Sequence, residues 1–291
     1  MGNDKRVPRI IVARKAGFCF GVKRAVNLVV SGLRTNKKLC TLGPLIHNPQ
    51  VVEDLKKNGV LVVDSVKSVP DGYTVVIRSH GITLEEYTTI MDRGLSFIDA
   101  TCPFVKRAQE IVSRLRDEGF STVIVGDRDH PEVRALISYA GGRGTVYPEL
   151  PKDIQRIGLV AQTTQTFENF QRVVHDIVDR LGSVVEMRIY NTICRSTEER
   201  QKEVIELSKF SDIVIVVGGK NSANTRRLFD IAKSMGVEAY HIETDEDIDF
   251  SWFSGKEIIA VTAGASTPDW LIKRVVERIK SLTGGMLDGR V

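Results

Sequence analysis

AGFCFGVKRAV, residues 16–26, sets a cysteine among two phenylalanines and two glycines and then runs into a basic helical pattern. The wording returns as TCPFVKRAQEI at residues 101–111. In both, Val-Lys-Arg-Ala follows at the same distance: Val22 to Ala25 after Cys19, Val105 to Ala108 after Cys102. A third cysteine, Cys194, stands 92 residues beyond Cys102, which is 83 beyond Cys19, and 97 residues follow it. Self-similarity at so long a period means repeated domains rather than a solenoid.

Other residues keep the spacing. Twenty-four positions after each cysteine stands a glycine: Gly43, Gly126 and Gly218. Twenty-eight positions after each stands a ligand-capable residue: His47, His130 and Ser222. Sixty-one positions after the first two come His80 and Thr163, and Ser266 is the counterpart in the third repeat after an insertion. The expected domains are 1–101, 102–193 and 194–291, the last including a C-terminal arm.

Each repeat reads alike. After the cysteine a helix is predicted, over 22–33, 105–116 and 196–209. A short strand then ends at the glycine, over 39–42, 122–125 and 213–217. Pro49 and Pro131 suit the first turn of a second helix. A further β-branched run leads to the next special residue, over 74–77, 157–160 and 258–261. Short apolar strands alternating with amphipathic helices argue for α/β domains with parallel sheets. In such sheets ligands gather beyond the carboxyl ends of the strands, and the special residues all fall there.

A net charge of +4 suits an anionic ligand, while no stripe of Lys and Arg marks a nucleic-acid protein. The longest aliphatic strand run, Ile213 to Val217, is far too short to span a bilayer. The opening MGNDKR lacks the apolar core of a signal peptide, and Arg6 breaks the myristoylation pattern, so the expected location is the cytoplasm. Four cysteines without a Cys-x-x-Cys suggest neither a disulfide framework nor a zinc ribbon. Cys40, in the strand expected over 39–42, reads as a buried apolar residue.

Three thiols at matching helix openings suggest one shared metal centre, since a helix N-terminus favours a thiolate. A [4Fe–4S] cluster on three cysteines leaves one iron open as a Lewis acid. A lone buried cysteine is usually packing, but packing does not require the same residue in three repeats. His47, His80, His130, Thr163, Ser222, Asn224 and Ser266 are donors without a dense acidic cluster, which describes an anion site, with a diphosphate the natural guess. The absence of GxxxxGK[ST] argues against a nucleotide. Glu132, beside His130, is either a helix-dipole partner or a proton carrier. His175 and His241 lie outside the pattern, and RSTEERQK, from Arg195 to Lys202, reads as a solvated helix face with internal ion pairs. A non-catalytic binding protein with structural cysteines and a zinc hydrolase remain as alternatives.

AGFCFGVKRAV, GPLIHNPQVV, RSHGI, DATCPFVKRAQ, HPEV, QTT, STEERQ and AGASTPDW, in this order from about Ile11 to about Ile279, together resemble the 4-hydroxy-3-methylbut-2-enyl diphosphate reductase (IspH, or LytB) family. The resemblance implies a trefoil of three α/β domains around a central [4Fe–4S] cluster. It implies two-electron reductive dehydroxylation of an allylic hydroxy-diphosphate to isopentenyl and dimethylallyl diphosphate, the last step of the non-mevalonate pathway. It also implies a reduced ferredoxin- or flavodoxin-type electron donor. By motif, Cys19, Cys102 and Cys194 match the cluster ligands. His47, His80, His130, Ser222, Asn224 and Ser266 match the diphosphate pocket, Thr163 the threonine near the substrate hydroxyl, and Glu132 the proton relay. Ala223 departs from the family's Ser-Ser-Asn run and leaves only its backbone N–H for phosphate.

Overall fold

The computed structural model describes residues 7–35, 37–151, 155–180 and 184–290. Met1 to Arg6, read above for targeting signals, lie outside these described residues. The chain opens with strand β1 (Arg9–Val12). The first repeat follows as α1 (Phe20–Arg34), β2 (Leu39–Leu42), α2 (Pro49–Lys57), β3 (Leu61–Val63), β4 (Thr74–Ile77), α3 (Leu84–Asp92) and β5 (Phe97–Asp99). The second is α4 (Pro103–Asp117), β6 (Ser121–Val125), α5 (Pro131–Tyr139), β7 (Gly144–Val146), β8 (Arg156–Ala161), α6 (Phe167–Arg180) and β9 (Glu186–Tyr190). The third is α7 (Arg195–Ser208), β10 (Ile213–Val217), α8 (Ala223–Ser234), β11 (Glu238–Ile242), β12 (Ile258–Ala263), α9 (Asp269–Thr283) and β13 (Met286–Arg290).

The fold is α/β with three parallel sheets. Their strand orders are β3-β2-β4-β5, β7-β6-β8-β9 and β11-β10-β12-β1-β13. The first four strands of each sheet share one order, so the repeat read from the spacing is also a repeat of topology. The central strands β2, β6 and β10 are buried along their whole length. Helices cover both faces of such a sheet, which is why these strands read as continuous apolar runs rather than alternating ones.

The chain groups into two compact units. One holds the stretch ending at Cys19, His47–Pro49 and the stretch from Arg195 onward; the other holds Phe20–Ile46 and Gln50–Cys194. The first unit packs its core on the five-stranded sheet, with Ile10, Val214, Ile215, Val261, Leu271 and Val275 fully enclosed. Each such aliphatic side chain contributes about 1.5–3 kcal/mol on burial. The second unit carries the two four-stranded sheets. Its cores form around Cys40, Val75 and Ile90 on one sheet and around Phe120, Ile124 and Leu159 on the other.

The N-terminal strand departs from the spacing argument. Cutting the chain at its cysteines puts β1 in the domain 1–101, yet β1 pairs with β12 and β13 and completes the third sheet. The register Ile10↔Ile259 and Val12↔Val261 sets Ile10, Ile11 and Val12 into that sheet's core. This supplies the fourth strand that β5 and β9 supply to the other sheets. The C-terminal arm forms the edge strand β13 beside it.

Candidate metal centre and anion site

Each of the three cysteines leaves a fourth strand and meets a helix. Cys19 lies between β1 and α1, Cys102 between β5 and α4, and Cys194 between β9 and α7. All three are partly exposed, whereas Cys40 is buried in β2. Burial pushes the Cys40 thiol above its ordinary pKa, which fits a packing role. The three backbones are tied in the same way. The N–H of Cys19 donates to the Ala265 carbonyl (3.0 Å), that of Cys102 to Ser79 (3.0 Å) and that of Cys194 to Thr163 (2.9 Å). Every one of those carbonyls belongs to the loop that follows the neighbouring third strand. Each sheet thus presents a thiol beside the loop that carries Ser266, His80 or Thr163.

Two further features fix the thiols. A Cβ on Gly21, the second residue of α1, would lie 2.5 Å from the Cys102 sulfur. Only glycine lets the start of α1 approach that closely. In the other unit, Arg200 is buried and donates to the Gly17 carbonyl at 2.7 Å, while Glu203 accepts from the N–H groups of Arg14 and Lys15. These two residues of α7 hold the loop from β1 to Cys19. RSTEERQK is therefore only half the solvated face its sequence suggests. Its Arg195–Glu199 and Glu198–Lys202 pairs are on the surface, but Thr197, Arg200 and Gln201 point inward.

Within the second unit, His80, His130, Glu132 and Thr163 come together. Pro131 opens α5, and His130 caps it, its Nδ1 accepting the Glu132 N–H at 3.2 Å. An accepting Nδ1 belongs to the neutral tautomer, which leaves Nε2–H as the donor. The His80 and His130 rings meet edge to face, with centroids 5.5 Å apart. Glu132 is buried, and its carboxylate takes both Thr163 donors: the backbone N–H at 2.6 Å and the hydroxyl at 2.8 Å. Thr163 in turn accepts from Cys194, so Glu132, Thr163 and Cys194 form one connected chain. A carboxylate serving only as a helix-dipole partner has no need of burial or of a hydroxyl partner on another loop.

Within the first unit, the Ser266 hydroxyl donates to the His47 carbonyl at 2.9 Å. Ser222 caps α8, accepting from the Thr225 N–H at 3.3 Å, and Ala223 and Asn224 form the first turn. Both ends of the buried Asn224 amide lack a hydrogen-bond partner among the described residues. Buried amides are rarely left so without a ligand to serve. The free N–H groups of the same helix start favour an anion.

The glycines found by spacing also gain a reason. Side chains from the third-strand loops cross over them. Arg78 Nη1 lies 2.6 Å from where a Cβ on Gly43 would be, Gln162 Oε1 3.0 Å from that of Gly126, and Thr267 Oγ1 2.6 Å from that of Gly218. Gln162 and Thr267 latch their loop to the end of the neighbouring strand, whereas Arg78 is held within its own loop. Arg78 donates to the Gly81 carbonyl at 3.1 Å, Gln162 accepts from the Asp127 N–H at 2.9 Å, and Thr267 donates to the Val217 carbonyl at 2.9 Å. Burial pulls the Arg78 guanidinium below its ordinary pKa, with Glu86 opposing that pull and Arg134 adding to it. Arg78, Gln162, Thr267 and Arg200 escaped the sequence reading. Their one signal was position, within RSHGI, QTT, AGASTPDW and STEERQ, the motifs already singled out.

These features define an α/β protein of repeated parallel sheets, each offering one thiol at a helix start beside a loop of hydrogen-bond donors. Thiols at helix openings, one of them given room by a glycine, are the donor chemistry that an iron–sulfur cluster takes. The chain belongs to the LytB protein family, whose profile matches residues 10–280. A 4-hydroxy-3-methylbut-2-enyl diphosphate reductase of Syntrophotalea carbinolica is 47% identical over 94% of this chain and 99% of its own. One of Geobacter sulfurreducens is 47% identical over 93% and 96%. The solved (E)-4-hydroxy-3-methyl-but-2-enyl diphosphate reductase described as the terminal enzyme of the non-mevalonate pathway is 45% identical, covers 94% of this chain and superposes with a TM-score of 0.69. The solved E-1-hydroxy-2-methyl-but-2-enyl-4-diphosphate reductase of Plasmodium falciparum, 24% identical over 98% of this chain, shares the fold with a TM-score of 0.91. No helix among the described residues is long and apolar enough to cross a membrane.

Proposed function

We propose that this chain is an iron–sulfur reductase. It converts (E)-4-hydroxy-3-methylbut-2-enyl diphosphate to isopentenyl and dimethylallyl diphosphate, the last step of the non-mevalonate route to isoprenoids. Membership of the family supports the reaction. The observation that carries the site is the same hydrogen bond made by each of the three cysteine N–H groups to the adjoining loop. Cys19, Cys102 and Cys194 would hold one [4Fe–4S] cluster. When bound, it supplies electrons and, at the iron without a protein thiolate, Lewis acidity toward the substrate oxygen.

The chain's own residues do the rest. His47, His80 and His130, with Ser222, Asn224, Ser266 and the Ala223 backbone N–H, hold the diphosphate. His130 donates from Nε2 while its Nδ1 stays engaged in the helix cap. Each neutral donor contributes roughly 0.5–1.5 kcal/mol, and about 1.5–3 kcal/mol where the partner is charged. Glu132, held by the Thr163 backbone N–H, takes up a proton and gives it to the Thr163 hydroxyl oxygen, while the hydroxyl's own proton passes to the departing oxygen. Two electrons and two protons enter, the allylic C–O bond breaks, and the oxygen leaves as water. The second proton adds at either end of the allyl fragment, which accounts for two products. The electrons come from reduced ferredoxin- or flavodoxin-type carriers.

Anaerobic preparation tests the reading. A brown protein with about four irons per chain, as a [4Fe–4S] centre requires, should form both products from the hydroxy-diphosphate under a reductant. A colourless protein with stoichiometric zinc and no turnover would overturn it.

A further inference from the structure

The reductase reading needs two electrons per turnover. We infer that an acidic one-electron carrier protein docks over Cys102, on the surface formed by the starts of α1 and α4. The inference rests on the proposed reductase activity. Each docking event oxidises one carrier by one electron, so two events supply the pair that cleaves the C–O bond, and solvent supplies the two protons.

Four observations converge on this surface, all within the second unit. First, α1 begins against Cys102: a Cβ on Gly21 would lie 2.5 Å from its sulfur, and Arg24 donates to the carbonyls of Thr101 and Asp99 at 3.1 Å each. Second, both helices expose an aromatic ring beside the thiol. Phe20 is 67% exposed and Phe104 is 41% exposed. A soluble protein ordinarily buries such rings, and interfaces are enriched in them. Third, Lys23 and Arg107 are exposed one turn further along, and neither has an ion-pair partner among the described residues. Lys106, by contrast, is bound to Asp99 at 2.7 Å. Fourth, the surface is concave. Phe20, Lys23, Arg24 and Leu28 line a groove of about 410 Å³. A second groove, of about 280 Å³, lies along α4 between Arg107, Arg114 and Tyr190, with the Arg114 guanidinium over the Tyr190 ring.

The third cysteine serves as the comparison. The STEERQ stretch after Cys194 has no aromatic and carries Glu198 and Glu199. Exposed aromatics and free cations are therefore not something a thiol at a helix start requires. They mark the first two helices for another purpose. Tunnelling falls steeply with distance, so a carrier must dock close to a ligand sulfur. Electron-transfer complexes are small and transient, below about 1,200 Å² of buried area, a size that a patch of two rings and a few cations suits. Opposite charge steers such encounters and makes them sensitive to salt.

The test compares two reductants on the holoenzyme. Turnover is measured with a reduced acidic bacterial ferredoxin over a salt series, and with reduced methyl viologen, a small donor that needs no docking. The variants are Lys23→Glu/Arg107→Glu, Phe104→Ala, and Lys37→Glu/Lys38→Glu as a control of equal charge change on the same unit. In the wild type the ferredoxin rate should fall as salt rises. Lys23→Glu/Arg107→Glu should lose about tenfold or more in ferredoxin kcat/KM at low salt, the scale on which steering acts, with viologen turnover within about twofold of wild type. Phe104→Ala should raise KM for ferredoxin alone. Equal losses with both donors, or a ferredoxin loss no larger than the control's, would overturn the inference. So would a change in sedimentation showing that the patch joins two copies of this chain. A wild type that fails even with viologen would instead refute the reductase reading, and this inference with it.

Discussion

Replacing Gly21 by alanine sets two effects against each other. Gly21 is the second residue of α1, where alanine favours the helix by up to about 1 kcal/mol. The new methyl, however, would lie 2.5 Å from the Cys102 sulfur and 3.1 Å from its Cβ. Carbon contacts settle near 3.5–4.0 Å, so α1 or Cys102 must move by roughly an ångström. Overpacking of this kind costs about 1–3 kcal/mol. The net change in the apoprotein is then between nothing and a loss of about 3 kcal/mol, which lowers its melting temperature by no more than about 12 °C. The thiol, held by its N–H bond to Ser79, has little freedom to keep its aim while its sulfur is displaced. Iron content should therefore fall far out of proportion to stability. The assay pairs thermal unfolding of the apoprotein with iron and sulfide analysis after anaerobic reconstitution. A Gly21→Ala protein that holds about four irons and turns over like wild type would refute the claim that this glycine makes room for a ligand sulfur.

Cys19→Ser, Cys102→Ser and Cys194→Ser should each lose or destabilise the chromophore and abolish turnover. Cys40→Ser should keep both while costing about 1–3 kcal/mol for a buried hydroxyl; an essential Cys40 would undo the ligand assignment. His47→Ala or His80→Ala should weaken substrate binding by roughly 1.5–3 kcal/mol with the visible spectrum preserved, and Ala223→Ser should be tolerated or bind slightly tighter, as titration of the cluster spectrum with substrate will show. Glu132→Gln should bind substrate and keep its iron but turn over about 10²-fold more slowly or worse; near-normal single turnovers would move the proton to another group. His241, held below its ordinary pKa by burial while Nε2 contacts the Gly218 carbonyl, stays neutral where the unfolded chain has already taken up a proton. Stability should therefore fall as the pH drops below about 6.5, and His241→Gln should flatten that part of a pH–melting curve.

Residues whose role is set by their own repeat were legible. β2, β6 and β10 announce themselves as unbroken apolar runs because both faces of each are covered. Pro49 and Pro131 mark helix starts because proline tolerates only that turn. Other features were hidden by length or by distance along the chain. β3, β5 and β7 have three residues each, too few for any period to show. β1 reads as the start of the first repeat because nothing local reveals that its partners are β12 and β13. Arg200 looks like any surface arginine among glutamates until the carbonyl of Gly17 is seen in front of it. Three of the cysteines and three of the histidines stood out because they recur with the period. Gln162 and Thr267 did not, because a latch needs only a polar side chain of the right reach, and these two repeats use different ones.

That β1 closes the sheet of the last repeat bears on how the protein is made. Ile10 meets Ile259 across the sheet, so the two strands leave the ribosome roughly 250 residues apart. At about 5–20 residues per second, β1 waits roughly 10–50 s as an apolar strand without a neighbour. The two four-stranded sheets can form meanwhile, since all their strands precede Cys194. Cys19 cannot be set in place until Ala265 has been synthesised to receive its N–H. On the proposed assignment, metal loading at Cys19 waits until that stretch has been made. An unpaired strand held open for that time is a target for chaperones and for aggregation alike.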